Sequence, residues 1–133
     1  MNNINSFFNE YTDNLLQSLK NVNLKYLNDA ADKINKIIKN KKTIYVCGNG
    51  GSAAISNHYV CDFLKFLRQK TKIKPRIVSL SSNIETITAI SNDFDYKKVF
   101  SYQAESLCQK GDLIIIVSSS GNSKNIIELL KFA

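Results

Sequence analysis

The sequence predicts an α/β fold, a parallel sheet in a three-layer αβα sandwich preceded by two amphipathic helices, and three observations predict it. Three short runs rich in β-branched and aliphatic residues, 43–47 (TIYVC), 76–80 (RIVSL) and 113–117 (LIIIV), read as strands. Each is followed by a small polar loop and then by a helical stretch. The runs are close to continuously apolar rather than alternating, as expected of strands covered on both faces and joined by right-handed crossovers.

Taken in chain order, Ile4, Phe7, Phe8, Tyr11, Leu15 and Leu19 recur at three-to-four spacing and form one stripe of a helix. Leu24, Leu27, Ala31, Ile34 and Ile38 repeat the pattern, with Asn21 or Asn23 as N-cap and Asn40 among lysines at the far end, where the helix dipole favours cations. Residues 1–40 are therefore two helices. Their stripes exceed what one small sheet can cover, which points to oligomerisation through them. The first strand, the loop GNGGS and a helix follow. The second strand sits just after Pro75 and leads through a Ser/Asn loop to a helical stretch over 84–90. Residues 99–108 read as a further helix ended by Gly111, and the third strand leads through SSSGNS to a helix from about Lys124. Residues 43–133 make the αβ core, and 1–133 reads as a single domain.

Composition narrows the function classes. With 133 residues, 44% hydrophobic and 22% charged, the chain has the size and balance of one globular domain. Its longest aliphatic run, 113–117, is far short of the roughly 20 apolar residues that cross a bilayer, so no membrane association is expected. The opening MNNINSFFNE has neither a basic nor a continuous apolar region of a secretory signal, and a cytoplasmic location is expected. Cys47, Cys61 and Cys108 form no CxxC or Cys/His ladder and read as reduced, mostly buried thiols. The net charge of +7 invites a nucleic-acid partner, yet Arg68 and Arg76 are the only arginines. The dense stretch Lys65, Arg68, Lys70, Lys72, Lys74 and Arg76 reads better as a solvated helix end and loop, and nucleic acid ranks last among partners.

Two loops carry the chemistry. In open α/β sheets ligands collect beyond the carboxyl ends of the strands, where helix N-termini present free N–H groups. The first loop is Gly48, Asn49, Gly50, Gly51 and Ser52, in which glycines permit close backbone approach, Asn49 and Ser52 add hydrogen bonds, and Ser52 can cap the next helix. The second is Ser118, Ser119, Ser120, Gly121, Asn122 and Ser123, whose hydroxyls and amides suit an oxyanion without any arginine. Neither loop is a Walker A or GxGxxG motif, so no nucleotide cofactor is expected. His58 and Asp62, spaced i,i+4 on the helix after the first loop, share a face and can act as acid and base, bind one metal, or form a plain surface ion pair.

These segments together resemble the sugar isomerase (SIS) domain family, and within it the phosphoheptose isomerases, which pair a CGNGGS loop with an ND(F/Y) segment and an SxSGNS loop. Here they stand as Cys47 to Ser52, Asn92-Asp93-Phe94 and Ser118 to Ser123, in the same order and at matching intervals. The resemblance implies a phosphorylated-sugar substrate. In the heptose branch this is sedoheptulose 7-phosphate, converted to D-glycero-D-manno-heptose 7-phosphate for lipopolysaccharide or capsule synthesis. It implies that Ser118, Ser119, Ser120 and Ser123 hold the phosphate, that Asn49, Gly50, Gly51 and Ser52 line the sugar, and that Asn92 and Asp93 contact its hydroxyls. It also implies Asp62 as base and His58 as proton partner, with both as ligands of a zinc ion, and a homotetramer joined through the leading helices. The family generally carries Glu where Asp62 stands, and the shorter carboxylate withdraws the oxygen by about one methylene. Its fold has five strands and a later helix bearing a Gln and a His, so the three-stranded chain ending at Ala133 is expected to be C-terminally incomplete. The alternative from another class is a non-catalytic SIS module that senses a phosphosugar or binds a protein.

Overall fold

The computed structural model describes residues 3–133, and these form two compact units, one ending at Lys33 and the other running Ile34–Ala133. In the first, α1 (Ile4–Lys20) begins at Asn3, whose side chain accepts the Asn5 amide at 3.1 Å. The choice of cap for α2 (Leu24–Lys39) falls to Asn23, whose Oδ1 accepts the Lys25 amide at 3.0 Å, while Asn21 closes α1. The whole stripe from Ile4 to Leu19 is exposed.

The second unit is built on β1 (Thr43–Gly48), β2 (Arg76–Ser79) and β3 (Leu113–Val117), all parallel and ordered β2-β1-β3. β1 is buried along its length because it has a neighbour on each side and helices on each face. Its side chains alternate between two apolar clusters, as a two-residue period requires. Tyr45 and Cys47 join Leu80, Ile90, Val99, Phe100, Ile126 and Leu129, on the face covered by α5 (Ile84–Asp93), α6 (Ser101–Leu107) and α7 (Lys124–Phe132). Ile44 and Val46 join Ile77, with Ile34, Ile37 and Ile38 of α2 and Val60 and Phe63 packed against them. Double-sided cover holds fully only for β1. In β2, Arg76 and Val78 are exposed while Ile77 and Ser79 point inward, and every residue of β3 is half-buried. Both strands flank the sheet and have a single partner among the described residues.

Two local expectations need correction, on the helix over 99–108 and on the burial of the thiols, and one is extended. The helix read over 99–108 is preceded by a 3₁₀ turn, Tyr96–Lys98, and α6 ends at Leu107 where Cys108 turns extended; Gly111, at φ 93°, serves the turn into β3 instead. The helix after the first loop is α3 (Gly51–Cys61), continued by a π-helical segment, Asp62–Leu67, and a short α4 (Arg68–Lys70). Of the three free thiols only Cys47 is buried; Cys108 is half-buried and Cys61 lies exposed on α3.

Gly48 is where the unit is tightest. A Cβ there would meet the Ser52 Cβ at 2.6 Å and the Val117 carbonyl oxygen at 2.7 Å. Gly48→Ala is expected to cost about 2 kcal/mol or more, within the range for overpacked sites, read as a lower urea midpoint. Burial, with Cys108 nearby, pushes the Cys47 thiol up to about 12; burial and the Asp112 carboxylate push Cys108 up to about 11. The folded chain therefore keeps protons that the unfolded chain releases from about pH 8.5, so this stabilisation is complete below that pH and is lost as pH climbs toward 11–12. The urea midpoint is expected to fall over that window, and Cys47→Ala to make the fall shallower.

Candidate functional site

Parallel pairing brings the two loops together. The register sets Gly48 opposite Val117, so β1 and β3 end side by side. The chain leaves β1 for β2 on one flank and returns to β3 on the other, so the strand order reverses at β1, the position whose carboxyl edge collects ligands in open α/β sheets. The end of β1 is also held from the β2 side: Ser81 Oγ donates to the Gly48 carbonyl at 2.9 Å and accepts the Gly48 amide at 3.1 Å.

In the first loop Gly50 takes φ 52° and ψ −122° and stands at the N-cap of α3, a conformation that side chains rarely adopt. Ser52 lies inside the first turn, its amide donating to the Asn49 carbonyl at 2.9 Å, so the cap expected of its hydroxyl is not made. In the second loop the Gly121 amide donates to Ser118 Oγ at 3.1 Å and the Asn122 amide to Ser120 Oγ at 3.3 Å. A hydroxyl that accepts from the backbone keeps its own proton for a ligand, so both serines are set up as neutral donors toward an anion. Ser119 and Ser120 are exposed; Ser123, half-buried, is the N-cap residue of α7. Two helix N-termini, of α3 and α7, thus open onto one rim with their positive dipole ends.

A side-chain bridge joins the loops. Asn49 Nδ2 donates to Asn125 Oδ1 at 2.9 Å, Asn125 Nδ2 donates to Asn49 Oδ1 at 2.8 Å, and the Tyr96 hydroxyl donates to the same Asn49 oxygen at 3.0 Å. Asn92 and Asp93 end α5 just before this tyrosine and are exposed, Asn92 Nδ2 donating to Asp93 Oδ1 at 2.9 Å. Asp95 is held below the usual carboxylate range, first by the Lys97 amide, which donates to its Oδ1 at 2.7 Å, and then by the Lys97 and Lys124 charges. Asn125, Tyr96 and Ser81 escaped the sequence reading, because nothing in their local spacing marks a partner far along the chain.

His58 and Asp62 do share a face, with Nε2 and Oδ1 3.5 Å apart and side chains 74% and 54% exposed. Both stand down the helix from the first loop, His58 six positions after Ser52 and Asp62 ten, about 9 Å and 15 Å of rise. The donor set falls short of a zinc site: a catalytic zinc takes three protein ligands, and among the described residues no group of three His, Cys, Asp or Glu side chains is gathered to hold a metal. The lysine-rich stretch runs from the π-helical segment through α4 to β2, with its charged residues exposed and Lys70 lying 6.0 Å from the Phe66 ring centroid. A cavity of about 620 Å³ opens elsewhere, lined by Val78, Leu80, Ala89, Ile90 and Tyr102 among others; the loop residues take no part in it, and its walls are mainly apolar. Among the described residues no helix is long and apolar enough to cross a membrane.

Comparison with known proteins agrees with this geometry. A family model described as the SIS domain matches residues 7–133. A probable phosphoheptose isomerase of Thermoplasma acidophilum is 38% identical over 125 residues, 93% of this chain and 68% of that protein. The phosphoheptose isomerase of Campylobacter concisus is 39% identical over 104 residues, 78% of this chain and 54% of its relative. Among solved structures, phosphoheptose isomerases from Neisseria gonorrhoeae (TM-score 0.84, 30% identity) and Francisella tularensis (TM-score 0.86, 25% identity) each superpose on 97% of this chain, which covers 66% of theirs. The chain thus spans between about half and two thirds of the relatives it matches.

An exposed i,i+4 ion pair contributes little to stability. Asp62→Asn is therefore expected to leave the unfolding free energy within about 0.5 kcal/mol of the parent, by urea titration at pH 7. A larger loss would mean that the carboxylate is structural.

Proposed function

We propose that this chain, which belongs to the SIS-domain family, holds the phosphate of a phosphorylated sugar against Ser118, Ser119, Ser120 and Ser123 and its carbon chain against Asn49, Gly50, Gly51 and Ser52, within an aldose-ketose isomerase. The observation that carries this reading is the convergence of two small-residue loops on one rim through the Gly48–Val117 register. Its anion-binding character follows from hydroxyls and helix N-termini, so no cationic side chain is required. Relatives named phosphoheptose isomerase support a heptose phosphate as the sugar; in this reading, which rests on the resemblance of the loop motifs, the substrate is sedoheptulose 7-phosphate, the product D-glycero-D-manno-heptose 7-phosphate and the role lipopolysaccharide or capsule synthesis. In this reading Asn92 and Asp93, at the end of α5 shortly before Tyr96, contact the sugar hydroxyls.

In the proposed reaction Asp62 removes a proton from the carbon next to the carbonyl. The electron pair moves to form an enediol, and the proton returns to the neighbouring carbon while His58 carries a proton between the two oxygens. An open-chain heptulose phosphate is about 10 Å long, so this reach requires the sugar to lie along α3. Side chains on a helix tilt toward its N-terminus, which brings the Asp62 carboxylate back toward the rim. The residues present do not complete a zinc site, and no step is routed through a metal. The exposed apolar stripe of α1 supports a homotetramer formed through the leading helices.

A second reading, a phosphosugar-sensing module without catalysis, is favoured by one observation, the ten-residue step along the helix from Ser52 to Asp62. Sedoheptulose 7-phosphate in deuterated water separates the two. The isomerase reading expects deuterium at the exchanging carbon and aldose formation by NMR, lost by about 100-fold or more in Asp62→Ala and retained in Asp62→Glu. Binding without exchange, in protein supplied with zinc, would replace it with the sensing reading, and absence of binding would overturn both.

A further inference from the structure

The bridge between the loops does more than connect them, and its arithmetic can be followed atom by atom. The Asn49 amide oxygen has two lone pairs, and both are taken: one by Asn125 Nδ2 at 2.8 Å, the other by the Tyr96 hydroxyl at 3.0 Å. One of the two Asn49 Nδ2 hydrogens is spent on Asn125 Oδ1 at 2.9 Å. What Asn49 can still give is a single N–H. Asn125 is 2% exposed, so its amide is held by packing and cannot turn to water for other partners. Tyr96 reaches in from the 3₁₀ turn that follows Asn92 and Asp93, so three separate stretches of chain meet on one side-chain oxygen.

We propose that Asn125 and Tyr96 are positioning residues that fix the Asn49 amide so that it presents one N–H donor to an oxygen of the ligand, and that they make the two loops a single site. The proposal rests on the phosphosugar reading, since it concerns what the first loop offers to the carbon chain of that ligand. It excludes a donor group of the ligand from hydrogen-bonding to the Asn49 side chain, because no acceptor capacity is left there. It also predicts that the sugar end of a ligand depends on the bridge while the phosphate end does not, because the Ser118 and Ser120 hydroxyls are oriented by their own loop amides.

Two probes separate these ends: inorganic phosphate, which occupies the serine loop alone, and sedoheptulose 7-phosphate, which also reaches Asn49. Asn125→Asp replaces the donor facing Asn49 Oδ1 with an acceptor, and Tyr96→Phe removes the third bond from a half-exposed residue with little risk to the fold. By isothermal titration, Tyr96→Phe is expected to weaken sedoheptulose 7-phosphate by about three- to fivefold, the scale of one hydrogen bond, with phosphate affinity staying within about twofold. Asn125→Asp also puts a carboxylate in the first turn of α7 that repels the phosphate of both probes, so there sedoheptulose 7-phosphate is expected to weaken by about tenfold more than phosphate does. The proposal is overturned if the two probes weaken in equal measure, which would make the bridge plain scaffolding, or if neither weakens. Should Asn125→Asp fail to fold by circular dichroism, Tyr96→Phe alone decides by the same ratio. If the parent chain binds neither probe, the phosphosugar reading itself fails; if the parent binds both and the variants discriminate nothing, this proposal fails alone.

Discussion

The close approach of three backbones at Gly48 is the constraint on which the rest of the second unit depends. β1, the Val117 end of β3 and the first turn of α3 meet there with no room for a methyl group. Ser81 adds a fourth stretch of chain, closing two hydrogen bonds on the same residue. Because the strands are parallel, this contact determines more than packing. It fixes where the two loops begin, and so aims two helix N-termini at one volume. An antiparallel pairing of the same segments would send the loops to opposite edges. Convergence is therefore a consequence of sheet topology, and the loop residues need supply only small size and hydrogen-bonding groups.

That division explains how a strongly basic chain can have a candidate anion site without a single arginine. The lysines other than half-buried Lys42 are exposed, where water and salt screen them. At the rim the donors are neutral, and their value comes from being oriented before a ligand arrives. Ser118 and Ser120 are held by backbone amides of their own loop, and Asn49 by Asn125 and Tyr96. The nearest charged pair, Asp95 with Lys97, is turned to organising the 3₁₀ turn, its carboxylate capping the Lys97 amide at 2.7 Å. Specific recognition in such a place depends on pre-set directions more than on net charge.

The sequence made the strands and both loops legible because each rests on local properties: aliphatic runs of strand length, and small residues directly after them. β1 and β3 lie where TIYVC and LIIIV stand, with one residue added to β1. What remained hidden depends on contacts across the fold. Ser52 reads as a cap, but Gly50 can adopt φ 52° and takes the position, moving Ser52 into the helix. Two asparagines 76 residues apart give no sign of pairing, since either alone reads as a polar residue near the start of a helix. The HxxxD spacing correctly placed His58 and Asp62 on one face, yet spacing along a helix carries no information about distance from a loop at its start. The sixfold cluster of cations around α4 read as solvated, and exposure is how it stands.

Helix α3 acts as a ruler between the two halves of the proposed chemistry. It starts at the rim with Gly51, Ser52, Ala53 and Ala54, four small residues beside which a ligand can lie closely. It then descends about 1.5 Å per residue, so His58 and Asp62 come two and three turns lower. With its phosphate level with the start of α3, a three-carbon sugar phosphate of about 5 Å would end near the alanines, whereas a seven-carbon open chain of about 10 Å would end near His58, toward which the backward tilt of helix side chains carries the Asp62 carboxylate. The separation that at first counts against an acid/base role thus becomes a criterion of length. Under the isomerase reading, the distance from anchor to carboxylate selects long sugar phosphates over short ones, with no side chain needed to exclude the short ones by contact.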